Sequence, residues 1–128
     1  EKKKEIEKKA KIRDMSGDVA FQGFVGRLRI AVAKHDRAML TSMMTSDFGY
    51  RWDQGPPGET PFDYWDQHQS WGQLEHVLEQ HFVPYSNYMV APPEFALADL
   101  FTDYRVGLRL ENGGWRFAYF VNGQDPTP

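Results

Sequence analysis

Twenty residues near the C-terminal end, Asp103 to Asn122, constrain the fold of this chain more than any other stretch. Apolar and polar side chains alternate through Tyr104, Val106, Leu108 and Leu110, then again through Trp115, Phe117, Tyr119 and Val121. That is the period-two pattern of strands with one buried face. Between the runs stands Asn112-Gly113, a dipeptide that tolerates positive φ at both central positions of a type I′ turn. A two-residue turn sets the register: Leu110 opposite Trp115, Leu108 opposite Phe117, Val106 opposite Tyr119, with Arg105, Gly107, Arg109 and Glu111 on the second face. An antiparallel hairpin results, with an aromatic face that helices or a ligand must cover.

The chain ahead of it supplies the helices. Asp18 is placed to cap a helix with the stripe Phe21, Phe24, Val25, Leu28, Val32 and His35, and Asp36 to cap a second through Met39, Leu40, Met43 and Met44. Phe48, Tyr50 and Trp52 alternate with Gly49, Arg51 and Asp53 as a half-buried strand, which the run Gln54 to Gly58 stops. Thr60 and Pro61 open a third helix, with Asp63 set against the helix dipole. Ser70 and Gln73 have capping-box spacing ahead of a fourth, striped by Trp71, Leu74, Val77, Leu78, His81 and Phe82 and ended by Pro84. Tyr88 to Phe95 reads as a strand that Pro92-Pro93 confine to an edge or a bend. Helices first and an antiparallel sheet last give an α+β class, with the helices on one face of a curved sheet.

At 128 residues the chain suits a single domain, expected over residues 18–122 between a charged leader at 1–17, read as a solvated helix or disordered, and a disordered tail at 123–128. Residues 1–14 hold seven Lys/Arg and four Asp/Glu, net +3, whereas residues 15–128 hold eight and fourteen, net −6. An acidic body with one lysine, Lys34, argues against nucleic acid as a partner, and no apolar run approaches the ~20 residues of a membrane span. The absence of cysteine excludes disulfides, thiol catalysis and thiolate metal sites.

The order of elements, with Tyr104-Arg105, Gly114-Trp115-Arg116 and Phe120-Val121 following Val90-Ala91-Pro92, resembles the nuclear-transport-factor-2-like (NTF2-like, or SnoaL-like) cone fold over about residues 18–122. Within it the chain is similar to a group of exported bacterial proteins. Some of these carry an insertion where this chain has only Ala96 to Asp103. The resemblance implies a conical pocket between the main helix and the concave sheet, and export after loss of a signal peptide, which a chain beginning at Glu1 would fit. It selects no function, because cone folds serve isomerases, dehydratases, hydrolases, binding proteins and assembly domains alike.

Tyr50, Trp52, Trp65, Phe95, Trp115, Phe117 and Tyr119 are the candidate pocket lining, since buried Trp and Tyr need partners that a ligand can supply. The leading expectation is a binding or interaction domain for a small apolar or amphipathic ligand, able to form a homodimer through the sheet and needing no cofactor. The alternative is an isomerase or lyase of the ketosteroid-isomerase type, with Asp63 or Asp103 as base and Tyr50 or Tyr119 as hydrogen-bond donor to an oxyanion. His35, His68 and His81 lie near helix edges, but none forms the i,i+4 or His-x-His spacing of a ligand pair, so no metal site is expected. Arg105, Arg109 and Arg116 read as a solvated face whose like charges Glu111 or a third strand must offset.

Overall fold

The computed structural model describes residues 13–123, so most of the expected leader and tail lie outside the described residues. Five helices, α1 (Val19–Ala33), α2 (Arg37–Met43), α3 (Pro61–His68), α4 (Trp71–Leu78) and α5 (Pro93–Leu97), pack with one mixed sheet of β1 (Met44–Gly49), β2 (Val83–Tyr85), β3 (Tyr88–Ala91), β4 (Arg105–Glu111) and β5 (Gly114–Val121). The α+β class holds, but the sheet is mixed where an antiparallel one was expected, and α5 packs on the face opposite the other helices. Strands run in the order β1-β5-β4-β3-β2, with every neighbouring pair antiparallel except β1 with β5.

Three helix starts follow the local chemistry. The Asp18 carboxylate accepts from Ala20 N (2.7 Å) and Phe21 N (3.1 Å), and that of Asp36 from Met39 N (3.0 Å). Thr60 and Asp63 exchange a reciprocal capping box, Thr60 N to Asp63 Oδ2 at 3.1 Å and Asp63 N to Thr60 Oγ1 at 3.2 Å. Ser70 departs from expectation: it precedes α4 but makes no side-chain cap, and its Oγ is buried inside the fold.

Three segments differ from the sequence reading. The fourth helix ends at Leu78 with Glu79 as its cap, so His81 and Phe82 lie beyond it and Pro84 stands in β2 and does not end the helix. The first strand begins at Met44, directly after α2, because the chain turns extended there and lies parallel to β5; it ends at Gly49, leaving Tyr50 and Trp52 beyond it. The segment Tyr88 to Phe95 divides. Tyr88–Ala91 is strand, paired with the short β2 as Val83↔Val90 and Tyr85↔Tyr88, and Pro93 then opens α5. Pro84 sits in that outermost strand, where a missing N–H removes no ladder bond.

The hairpin turns at Asn112 (φ 51°) and Gly113 (φ 80°), and its register runs as expected through Leu110↔Trp115, Arg109↔Arg116 and Leu108↔Phe117. It then shifts. Gly107 pairs with Tyr119, Val106 with Phe120 and Arg105 with Val121, so Ala118 is an extra residue in β5 and the expected pairing of Val106 with Tyr119 is corrected. Beyond the bulge Phe120 joins Phe117 on the helix side, while Tyr119 and Val121 pass to the other side. Room for the Tyr119 ring comes from Gly107, where a Cβ would stand 2.2 Å from Tyr119 Cε2.

Two cores result. The larger joins helices to sheet through Leu28, Leu40, Leu74, Leu108, Phe117 and their neighbours, and the smaller lies beneath α5 with Val90, Phe95, Ala118, Tyr119 and Val121. Gly107→Ala is expected to destabilise the fold by about 1–3 kcal/mol through overpacking. Chemical denaturation should show a partial recovery when Tyr119→Leu is added; an unchanged midpoint for Gly107→Ala alone would mean that the ring is not held against β4.

Candidate functional site

The sheet divides the seven expected lining residues rather than gathering them. Trp65 of α3 and Trp115 and Phe117 of β5 meet in the core between helices and sheet and are almost fully buried. Their rings interlock: Trp65 lies 5.1 Å from Trp71, 5.5 Å from Phe62 and 5.7 Å from Phe120, Phe48 lies 4.7 Å from Phe117, and Trp115 meets Phe21 at 4.9 Å. These rings fill the space between helices and sheet where the sequence suggested a lining. Phe95 and Tyr119 stand in the opposite core, because α5 and the Ala118 bulge carry them there. Trp52 sits at the sheet's edge, its Nε1 donating to the Asn122 carbonyl at 2.6 Å.

Tyr50 remains, and it belongs to a polar aromatic cluster at the partly exposed margin, or mouth, of the larger core. Its hydroxyl donates to Glu59 Oε1 (3.0 Å), which also receives Arg51 Nη1 (2.6 Å). Arg51 Cζ stands 5.0 Å from the centroid of the Tyr64 ring, Tyr50 meets that ring edge-on at 5.4 Å, and His68 stacks on it at 4.0 Å. The Glu59 side chain is only 9% exposed, so both its partners are needed to hold a carboxylate there. Gly55 lets the loop close over the pair, since a Cβ would stand 2.6 Å from Glu59 Oε1. Tyr104 stacks on Phe120 at 5.1 Å beside this cluster. Burial, with the charge of Glu59, raises the Tyr50 phenol above its ordinary value; burial, with Tyr64 and Asp103, raises that of Tyr104. Both hydroxyls therefore stay protonated donors at neutral pH.

The candidate bases lie apart from any enclosed space. Asp63 is exposed, engaged in the Thr60 capping box and 3.8 Å from Arg37; the Thr60 N–H holds its carboxyl below the usual carboxylate range. Asp103 is exposed and accepts from Tyr104 N. His35 stacks on Trp71 at 4.0 Å, His68 on Tyr64, and His81 stands near Asp14, all three solvent-exposed. Among the described residues no three His, Asp or Glu side chains are grouped as a metal ion would require.

The second face holds what the sequence reading missed. Arg105, expected in solvent, is fully buried: its Nη1 donates to the carbonyls of Phe101 (3.2 Å), Asp103 (3.0 Å) and Gly123 (3.2 Å), and its guanidinium lies 5.4 Å from the Trp52 ring and 5.2 Å from Phe95. Arg109 and Arg116 do oppose each other, and acids offset Arg109 as anticipated, Glu111 from its own strand and Asp47 at 2.9 Å from β1. Burial pushes the nearby Tyr119 phenol strongly up. Glu59 and Tyr64 carried one usable signal: an Arg and a Glu bracketing the Gly-Pro-Pro-Gly run, ahead of a helix that brings its own tyrosine back to the loop.

Among the described residues no helix is long and apolar enough to cross a membrane. Comparison with protein-family models, curated proteins and solved structures finds no match to this chain.

Proposed function

We propose that this chain is an exported, cone-fold (nuclear-transport-factor-2-like) domain of bacterial type that acts by binding rather than by catalysis. Its recognition surface is the Tyr50, Arg51, Glu59, Tyr64, His68 and Tyr104 cluster. The observation that carries the reading is the composition of the interior: among the described residues the buried polar or charged residues are Thr45, Ser70 and Arg105, and the nearly buried Glu59 carboxylate is tied up by Arg51 and Tyr50. Acid–base chemistry of the ketosteroid-isomerase kind needs an ionisable group of shifted pKa inside a dry cavity. Here interlocked rings occupy that space, and the candidate bases Asp63 and Asp103 stand exposed outside it. The cluster offers the half-buried rings of Tyr50, Tyr64 and Tyr104 with the exposed His68 beside them, suited to a flat apolar ligand bearing an acceptor, or to an aromatic side chain of a partner protein.

Titration with progesterone, followed by NMR shifts, tests the site. Saturable shifts are expected at Tyr64, His68 and Tyr104, and Tyr64→Ala is expected to weaken binding about tenfold, a ring contact being worth roughly 0.5–1.5 kcal/mol beyond its buried area. Asp63→Asn should change affinity little. Isomerase turnover that disappears in Asp63→Asn while binding persists would replace this reading with the acid–base alternative.

A further inference from the structure

On the side of α1 toward the hairpin turn, α1, α2 and the start of β5 enclose a groove of about 400 Å³. Phe24, Met43 and Trp115 form its floor, each mostly buried but with an edge in the groove, and the half-exposed Met39 forms a wall. Arg27 of α1 and Arg116 of β5 stand on the rim, and the described residues lining it include no Asp or Glu. That is unusual in a body of net −6. Among the described residues neither arginine lies within ion-pair distance of a carboxylate. Arg116 is fixed from one side only, Nη1 donating to the Ser42 carbonyl at 2.8 Å. Its cross-strand neighbour Arg109 takes both local acids, Asp47 and Glu111, and Arg116 is left facing the groove beside a like charge. Gly113 and Gly114 carry no side chain to close the groove's end.

We infer that this groove binds a small amphipathic carboxylate, independently of the mouth cluster. Each guanidinium presents a planar fork of donors matched to a carboxylate head group, and charge-assisted bonds of this kind are the stronger ones. The apolar tail lies over Trp115 and Phe24. Met39 and Met43, unbranched and polarizable, adapt to its shape. The groove's volume falls in the range of small-molecule sites. Charge complementarity selects this occupant over a neutral lipid: a tail alone would leave both arginines as they are, whereas a carboxylate supplies the partner each lacks.

The test uses the full chain, with decanoate below its micelle concentration and 1-decanol as the neutral probe, followed by 1H–15N NMR and tryptophan emission. Decanoate is expected to give saturable shifts at Ala20, Arg27, Ser42, Gly113 and Gly114 and at the Trp115 indole, and 1-decanol to bind about tenfold more weakly or worse. Arg27→Gln removes a side chain that bonds to no described residue, so its melting curve should match the parent while decanoate affinity falls about tenfold; adding Arg116→Gln should abolish saturation. The proposal is overturned by equal affinity for 1-decanol, by unchanged affinity in Arg27→Gln, by shifts confined to Tyr64 and Tyr104, or by no saturable shift at all. Loss of progesterone binding at the mouth would leave these outcomes untouched, so the two sites fail separately.

Discussion

Phe117→Ala is expected to remove about 3–5 kcal/mol of stability, the usual cost of deleting a large ring from a packed core. The residue has no solvent exposure and meets Phe48 at 4.7 Å and Trp65 at 6.3 Å, so a truncated side chain leaves a void whose walls are themselves rigid rings that relax poorly. Against a total of about 5–15 kcal/mol for an ordinary domain, the loss is a large fraction of the stability, and it unfolds a sizeable share of the population where the total lies at the low end of that range. Urea denaturation measures it directly, and a midpoint shift at constant slope attributes it to the folded state. Phe117→Leu, which keeps most of the volume, should cost distinctly less. A loss below about 1 kcal/mol for the alanine variant would mean that the ring borders solvent-filled space, and the binding site would then move from the mouth into the interior.

What the sequence disclosed about this fold is what local chemistry decides. Asp18, Asp36 and the Thr60-Pro61-Asp63 start announce their helices because a cap is a contact between residues two or three apart. Asn112-Gly113 announces its turn because positive φ is a property of the dipeptide. The bulge at Ala118 is different. Phe117 to Val121 is apolar at every position, so alternation no longer says which side faces the helices once both faces of the sheet are covered. Its trace in the sequence lies across the ladder, at Gly107, a strand glycine whose missing Cβ is the space a neighbouring ring occupies. The same second core explains Arg105: a residue polar by type reads as solvent-facing until α5 and the segment after it are known to cover that face. Of the mouth cluster, Tyr50 was expected in a strand that in fact ends at Gly49, and the pairing of Glu59 with it comes from a loop that folds back nine residues, to which the Arg51 and Glu59 bracket around Gly-Pro-Pro-Gly was the one pointer.

Arg105→Met is expected to cost on the order of 3–5 kcal/mol, as removal of a buried charged group does when its partners stay behind. Three main-chain carbonyls, Phe101 and Asp103 from the segment before β4 and Gly123 from the chain after β5, converge on one guanidinium nitrogen. Without it their desolvation is uncompensated, at about 1–3 kcal/mol for each acceptor left wholly unsatisfied. The rings of Trp52 and Phe95 lose the flat cation near both, and with it the contact that ties the loop after β1 to α5. Arg105→Lys distinguishes the two contributions. An ammonium can still donate to carbonyls, but it is a point charge on a flexible stem and cannot lie as a plane between two rings, so recovery of about half the loss is expected. Because the group has no solvent exposure, added salt should leave the difference between parent and variant unchanged, unlike that of a surface ion pair. Guanidinium-free denaturation in urea at low and high ionic strength, with Trp52 emission as the probe, measures all three. If Arg105→Met costs less than about 1 kcal/mol, or its cost vanishes in high salt, Arg105 is a solvated surface charge and the second core does not depend on it.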